Sequence, residues 1–160
     1  MMLKFIATGD VSDATTDAVL ICEVDDFQLT QQGLLPAVVW ERLESLQANP
    51  KWVPGSIMIL KDSKTKRPMK VAFKSNLRVI FANIRSTEGE ISYRSIRDVL
   101  VKLRDSYERL GIRTLSTVFP GVVSGSQFEI KAGVIRSMLK SIFVEDNVGE
   151  TSKFCIEAYE

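Results

Sequence analysis

The chain has 160 residues, 45% hydrophobic and 26% charged, which suits one globular domain able to bury about 70% of its unfolded surface. A net charge of +1 gives no global pull toward nucleic acid or a membrane. The absence of histidine removes serine–histidine and cysteine–histidine nucleophiles and the usual metal ligand, so any catalysis must use carboxylates, backbone amides or a bound water. No apolar run approaches membrane-spanning length, and residues 1–7 are too short, and too soon followed by Gly9-Asp10, to be a secretory signal. Cys22 and Cys155 both sit in apolar, strand-like segments and read as reduced core residues of a cytoplasmic protein. No cluster has zinc spacing, so neither a metal nor a cofactor is expected.

Residues 3–7 read as a short strand that Gly9-Asp10 breaks. A polar connection over 11–16 leads to a near-continuous apolar strand over 17–22, the kind that a sheet covers on both faces. The segment 23–33 is a loop carrying Asp25, Asp26, Gln28, Thr30, Gln31 and Gln32. Pro36 suits the first turn of a helix whose buried stripe is Leu35, Val38, Val39, Leu43 and Leu46, and Pro50 and Pro54 bracket the connection after it. Residues 56–60 and 69–73 read as two strands of a hairpin joined by the basic turn 61–68. A strand over 78–83 and a polar loop over 85–91 precede the clearest helix, 92–110. Its apolar face is Ile96, Val99, Leu100, Leu103, Tyr107 and Leu110, and Gly111 is its stop.

The strand 114–119 is rich in β-branched and aromatic residues and reads as buried in the sheet interior; Pro120 and Gly121 end it. Residues 122–127 form a loop with a second glycine, Gly125. Ser126 and Glu129 make a capping box ahead of the periodic run Val134, Ile135, Met138, Leu139, Ile142 and Phe143. A closing strand over 153–159 completes one α/β domain spanning 1–160, with a mixed sheet and at least three helices. Strand, glycine loop and helix N-terminus is where open α/β sheets place anionic ligands, because free amides and the helix dipole both favour negative charge. The glycines are too sparse for a dinucleotide fingerprint or a P-loop, and many α/β proteins have such a loop and bind nothing there.

Three segments, in order, resemble a macro domain, the ADP-ribose-binding α/β/α module. They are Gly9-Asp10-Val11 with Asp17-Ala18-Val19-Leu20; Arg78-Val79-Ile80-Phe81-Ala82 with the helix ending in Leu110-Gly111-Ile112; and Val118-Phe119-Pro120-Gly121-Val122-Val123-Ser124-Gly125. The resemblance implies a three-layer α/β/α fold with a mixed central sheet of about six strands. It also implies roles: Asp10 accepts from the adenine amino group beside the Val11 amide. Ser124, Gly125 and Ser126 wrap the diphosphate and distal ribose, flanked by Val123 and Gln127, and Phe128 covers that ribose. Where the family's hydrolases carry an asparagine–alanine–alanine–asparagine run, this chain reads Ile21-Cys22-Glu23-Val24, and the polyglycine loop is reduced to Gly33 ahead of Leu34-Leu35-Pro36-Ala37. The resemblance therefore implies ADP-ribose binding with weak or absent hydrolysis.

Two other readings stand beside that one. An enzyme could process ADP-ribose 1″-phosphate or an ADP-ribosyl ester through a bound water positioned by Glu23, Asp25 or Asp26, although paired aspartates in a polar loop also read as solvated surface. An interaction protein could keep the fold, lose the pocket and bind a protein partner. The basic run Lys61, Lys64, Lys66, Arg67, Lys70 and Lys74 is the competing signal, for a nucleic-acid backbone. It lacks the interleaved aromatics of a single-strand binder, which favours lysines guarding a sheet edge. Trp40 and Trp52 read as packing against the sheet rather than caging a ligand.

Overall fold

The computed structural model describes residues 2–7, 16–22, 37–59, 78–121, 130–145 and 154–159, apart from the side chains of 37–40 and 43. In chain order the elements are β1 (Met2–Ile6), β2 (Ala18–Cys22), α1 (Ala37–Gln47), β3 (Ile57–Ile59), β4 (Arg78–Ala82), α2 (Tyr93–Leu110), β5 (Thr114–Val118), α3 (Ala132–Phe143) and β6 (Cys155–Tyr159). They build a six-stranded sheet in the order β1-β6-β5-β2-β4-β3. Every neighbouring pair is parallel except β3 against β4, where Met58 faces Phe81 in an antiparallel register.

The central strands are covered on both faces, as their unbroken apolar runs require. Ala18, Leu20, Cys22, Ile80, Ala82, Leu115, Ile156 and Ala158 join Ile96, Val99, Leu100 and Leu103 of α2 and Ile135, Leu139, Ile142 and Phe143 of α3 in one core. The alternating residues Val19, Ile21, Val79 and Phe81 lie outside that core and are buried too, as is Leu46 of α1. This gives three layers, with α2 and α3 in contact with each other on one side. Phe154 ties them to β6: its ring stacks on Tyr107 at 4.6 Å and lies 6.3 Å from Phe143.

Helix α2 starts and stops on local chemistry. The Ser92 hydroxyl accepts from the Ser95 amide at 3.4 Å, and Gly111 leaves the helix at φ 71°. That left-handed conformation costs an L-residue roughly 1–2 kcal/mol, which is why glycine stands there. A Cβ at Gly111 would also lie 3.0 Å from the Arg78 guanidinium, whose Nη1 donates to the Gly111 carbonyl.

The amino edge of the sheet is held by hydrogen bonds between residues distant in sequence. Asp17 is the hub. Its carboxylate accepts from the amides of Arg113 at 3.0 Å and Thr114 at 3.1 Å, while its own amide donates to Thr114 Oγ1 at 2.8 Å. Its carbonyl accepts from the Arg78 amide at 3.0 Å, so one residue ties β2 to both β4 and β5. Behind it, the buried Thr16 hydroxyl lies 2.9 Å from Ser116 Oγ, which satisfies two polar groups inside the core.

The structure adjusts several sequence expectations. The strand expected over 56–60 is Ile57–Ile59, while the basic turn 61–68 and the strand over 69–73 lie outside the described residues. Helix α3 begins at Ala132 with Lys131 as its N-cap, past the expected Ser126–Glu129 capping box, whose two residues also lie outside the description. Val134, expected on the buried stripe, is 42% exposed; the periodicity is carried by Ile135, Leu139, Ile142 and Phe143. Tyr107 and Leu110 only half-bury at the end of α2.

Two outcomes are expected. Asp17→Ala removes both carboxylate acceptors and should lower the free energy of unfolding by about 1.5–3 kcal/mol, read from urea denaturation. An unchanged midpoint would show that solvent replaces the clamp without cost. Cys22 and Cys155 are both buried, and burial pushes the Cys155 thiol up, with Lys4 opposing and Glu157 adding to the shift. Because the thiolate is the reactive form, iodoacetamide near neutral pH should label neither cysteine in the folded protein and both in urea.

Candidate functional site

Parallel pairing decides where a site can form. Strands β1, β6, β5, β2 and β4 all run the same way, so the segments that follow β1, β2, β4 and β5 leave from one edge of the sheet. From β2 the chain goes on to β3 and β4 on one side; from β5 it goes on to β6 on the other. The carboxyl ends of β2 and β5 thus flank a topological switch point, the place where open α/β sheets leave a crevice.

The end of β5 is built on close contacts. The Phe119 amide donates to the Tyr159 carbonyl at 3.1 Å, prolonging the pairing with β6. Pro120 and Gly121 follow, both buried, with Gly121 at φ 78°. A Cβ on Gly121 would lie 3.0 Å from Ile91 Cγ2, 3.2 Å from Ile96 Cδ1 and 3.4 Å from Ile130 Cγ1. Both the backbone conformation and the space therefore demand glycine.

The far rim is the start of α3. Its N-cap, Lys131, makes no side-chain cap; instead its backbone amide donates to the Tyr93 hydroxyl at 2.9 Å. By helix geometry the Ala132 and Gly133 amides have no carbonyl one turn earlier within α3, and the dipole adds partial positive charge there. One turn on, the Arg136 guanidinium lies 4.2 Å from the Phe5 ring centroid and 5.6 Å from that of Phe119. The two rings meet edge-on at 5.9 Å, and Lys140 Nζ stands 5.9 Å from Phe5. Cations over aromatic faces and an amide-bearing helix start add positive potential to this edge, which favours an anion.

Each candidate site residue follows a described strand in the chain. Asp10 and Val11 follow β1; Glu23, Asp25, Asp26 and Gly33 follow β2; Val123, Ser124, Gly125, Ser126, Gln127 and Phe128 follow Gly121. All twelve positions lie outside the described residues. Their strands, however, end on one edge: β2 is paired with β5, and only β6 separates β5 from β1, about 10 Å by ordinary strand spacing. The basic run Lys61, Lys64, Lys66, Arg67, Lys70 and Lys74 lies outside the description, as does the Trp40 side chain, while Trp52 is half-buried and accepts from Asn83 through its carbonyl at 3.3 Å. Tyr93 and Arg136 escaped the sequence reading. No local pattern marks a helix-start tyrosine as the partner of an amide 38 positions away. Among the described residues no group of three or more histidine, cysteine, aspartate or glutamate side chains could hold a metal ion, and no helix is long and apolar enough to cross a membrane.

No family model and no curated protein matches the sequence. Solved structures do match the fold. The macrodomain of Thermus aquaticus DarG aligns at TM-score 0.68 and 12% identity, over 99% of this chain and 98% of that one. The macrodomain of Mycobacterium tuberculosis DarG aligns at TM-score 0.71 and 13% identity, over 99% and 97%. Thermosipho africanus DarTG, solved in complex with ADP-ribose, aligns at TM-score 0.70 and 10% identity, over 99% of this chain and 41% of that one. With its six-stranded mixed sheet between helical layers and near-complete overlap with both DarG macrodomains, this chain is a sequence-divergent example of the macrodomain fold.

Proposed function

We propose that this protein binds ADP-ribose, or a closely related adenine nucleotide diphosphate, at the carboxyl edge of its sheet, with little or no turnover. The observation that carries the reading is that β1, β2 and β5 all end on one edge of the sheet, the edge from which the chain leaves β5 toward α3. The candidate adenine contact, Asp10 with Val11, follows β1 in the chain, and the candidate diphosphate loop, Val123 to Phe128, follows β5. The ADP-ribose held by Thermosipho africanus DarTG, which shares the fold, supports the choice of ligand. Arg136 and Lys140 add positive potential on the same side.

Gly125 is the point of closest backbone approach to the diphosphate. Gly125→Glu adds bulk and like charge there, and should abolish ADP-ribose binding by calorimetry while circular dichroism shows a folded domain. Asp10→Ala should weaken adenine-containing ligands roughly tenfold to a hundredfold through loss of a charge-assisted hydrogen bond, and leave ribose phosphate little affected. Lys66→Ala should change neither. Unaltered affinity in folded Gly125→Glu would sink this pocket and move the search to the lysine run.

Weak turnover follows from the absence of side-chain amides in the run Ile21-Cys22-Glu23-Val24. Losing one well-aimed transition-state contact costs about 2.7–4 kcal/mol, a hundredfold to a thousandfold in rate. Release of ADP-ribose from a modified protein should therefore be far slower than by an intact hydrolase. Brisk release would show that Glu23, Asp25 or Asp26 positions the water.

A further inference from the structure

We propose that the outer edge of β1 docks an extended, acidic segment of a partner protein, which adds to the sheet as a further strand. Among the described residues β1 pairs with β6 alone, so it forms one edge of the sheet. The Met2 amide donates to the Phe154 carbonyl at 2.8 Å. In a parallel ladder a residue turns its amide and carbonyl to one neighbour and the next residue turns them the other way. Met2, Lys4 and Ile6 therefore face β6 with their main chain, while the amides and carbonyls of Leu3 and Phe5 point out of the sheet. Such a row is a template for an added strand.

The side chains say which strand fits. Leu3 and Phe5 pack against the core, and the alternating residues Met2 and Lys4 lie on the opposite face, both exposed, Met2 at 56%. Beside the Phe5 ring stand the Arg136 guanidinium, 4.2 Å from its centroid, and the exposed Lys140, whose Nζ is at 5.9 Å. Positive charge thus flanks the same stretch of edge on both faces of the sheet. The carboxylate in register with Lys4 is Glu157 of β6, half-buried and one strand farther from the edge. A strand laid along β1 sets alternate side chains beside Lys4 and beside the Phe5 cations, so carboxylates at successive positions find opposite charge on both faces. Pairing of two β1 edges from two copies of this chain would instead bring like charges together, which is how an edge lysine guards a sheet.

The probe is an end-capped peptide with three central glutamates between Val-Thr-Val flanks, and its control carries three lysines in their place. In the free protein the Leu3 and Phe5 amides should exchange with solvent about tenfold faster than those of Lys4 and Ile6, which β6 already holds. The glutamate peptide, titrated at low salt and followed by NMR, should slow exchange at Leu3 and Phe5 about tenfold and leave Lys4 and Ile6 unchanged. The lysine peptide should have no effect, and added salt should weaken the glutamate complex. Lys4→Glu, a change at an exposed side chain, should weaken the glutamate peptide about three- to tenfold and strengthen the lysine peptide. Equal binding of the two peptides would overturn the proposal, as would absence of any effect of the glutamate peptide at millimolar concentration. Protection of Leu3 and Phe5 that grows with protein concentration alone would also overturn it, by making a second copy the occupant.

Discussion

Parallel pairing is the constraint on which the rest of this structure depends. A parallel neighbour cannot be reached by a tight turn, so the chain must cross a face of the sheet between strands, and helices fill that crossing. Here five of the six strands are parallel, and the helices that return the chain cover the apolar faces of β2, β4 and β5. Burial of those faces is the main favourable term, at about 25 cal/mol per Å² removed from water. The same geometry sorts the connections. At the amino edge, Asp17, Thr16 and Arg78 tie neighbouring strands together. The connections that leave the carboxyl edge carry the glycines, aspartates and serines singled out as ligand candidates.

The two edges differ in chemistry for that reason. At the amino edge a carboxylate is consumed by backbone amides, and the C-terminal end of α2 arrives there with its carbonyls capped by Gly111 and Arg78. At the carboxyl edge the start of α3 arrives instead, with amides facing outward and the Arg136 guanidinium lying over two phenylalanine rings. An anion is disfavoured at the first and favoured at the second, since the helix dipole has opposite sign at its two ends. The start of α2 joins both halves of the design. Ile96 belongs to the central core, and the same turn bears the Gly121 backbone and the Lys131 amide.

The proposed site separates affinity from turnover. Amides and a helix start stabilise a diphosphate equally in the ground and transition states, which lowers a dissociation constant without accelerating a chemical step. Acceleration needs a group aimed at charge that develops only in the reaction. Across the end of β2 the chain reads Ile21, Cys22, Glu23 and Val24, a run without a side-chain amide, of which Ile21 and Cys22 are buried strand residues.

The contiguous signals in the sequence determined much of the architecture. The apolar runs at β2 and β4, the periodic face of α2 between its Ser92 cap and Gly111 stop, and the end of β5 at Pro120-Gly121 all stand where their residues say, because strand, cap and stop energies depend on near neighbours. The candidate ligand residues were legible only as positions after strands, since turn chemistry names a loop without saying what faces it. Tertiary structure alone decided the strand order, which sets β1 beside β6 from the opposite end of the chain. It also decided where α3 begins, at Ala132, where the Tyr93 hydroxyl receives the Lys131 amide. It turned Val134 outward although the periodicity of its segment placed it inside. Such outcomes depend on which groups come together across tens of residues or more than a hundred, and a hydroxyl that meets a distant amide leaves no pattern in the residues beside it.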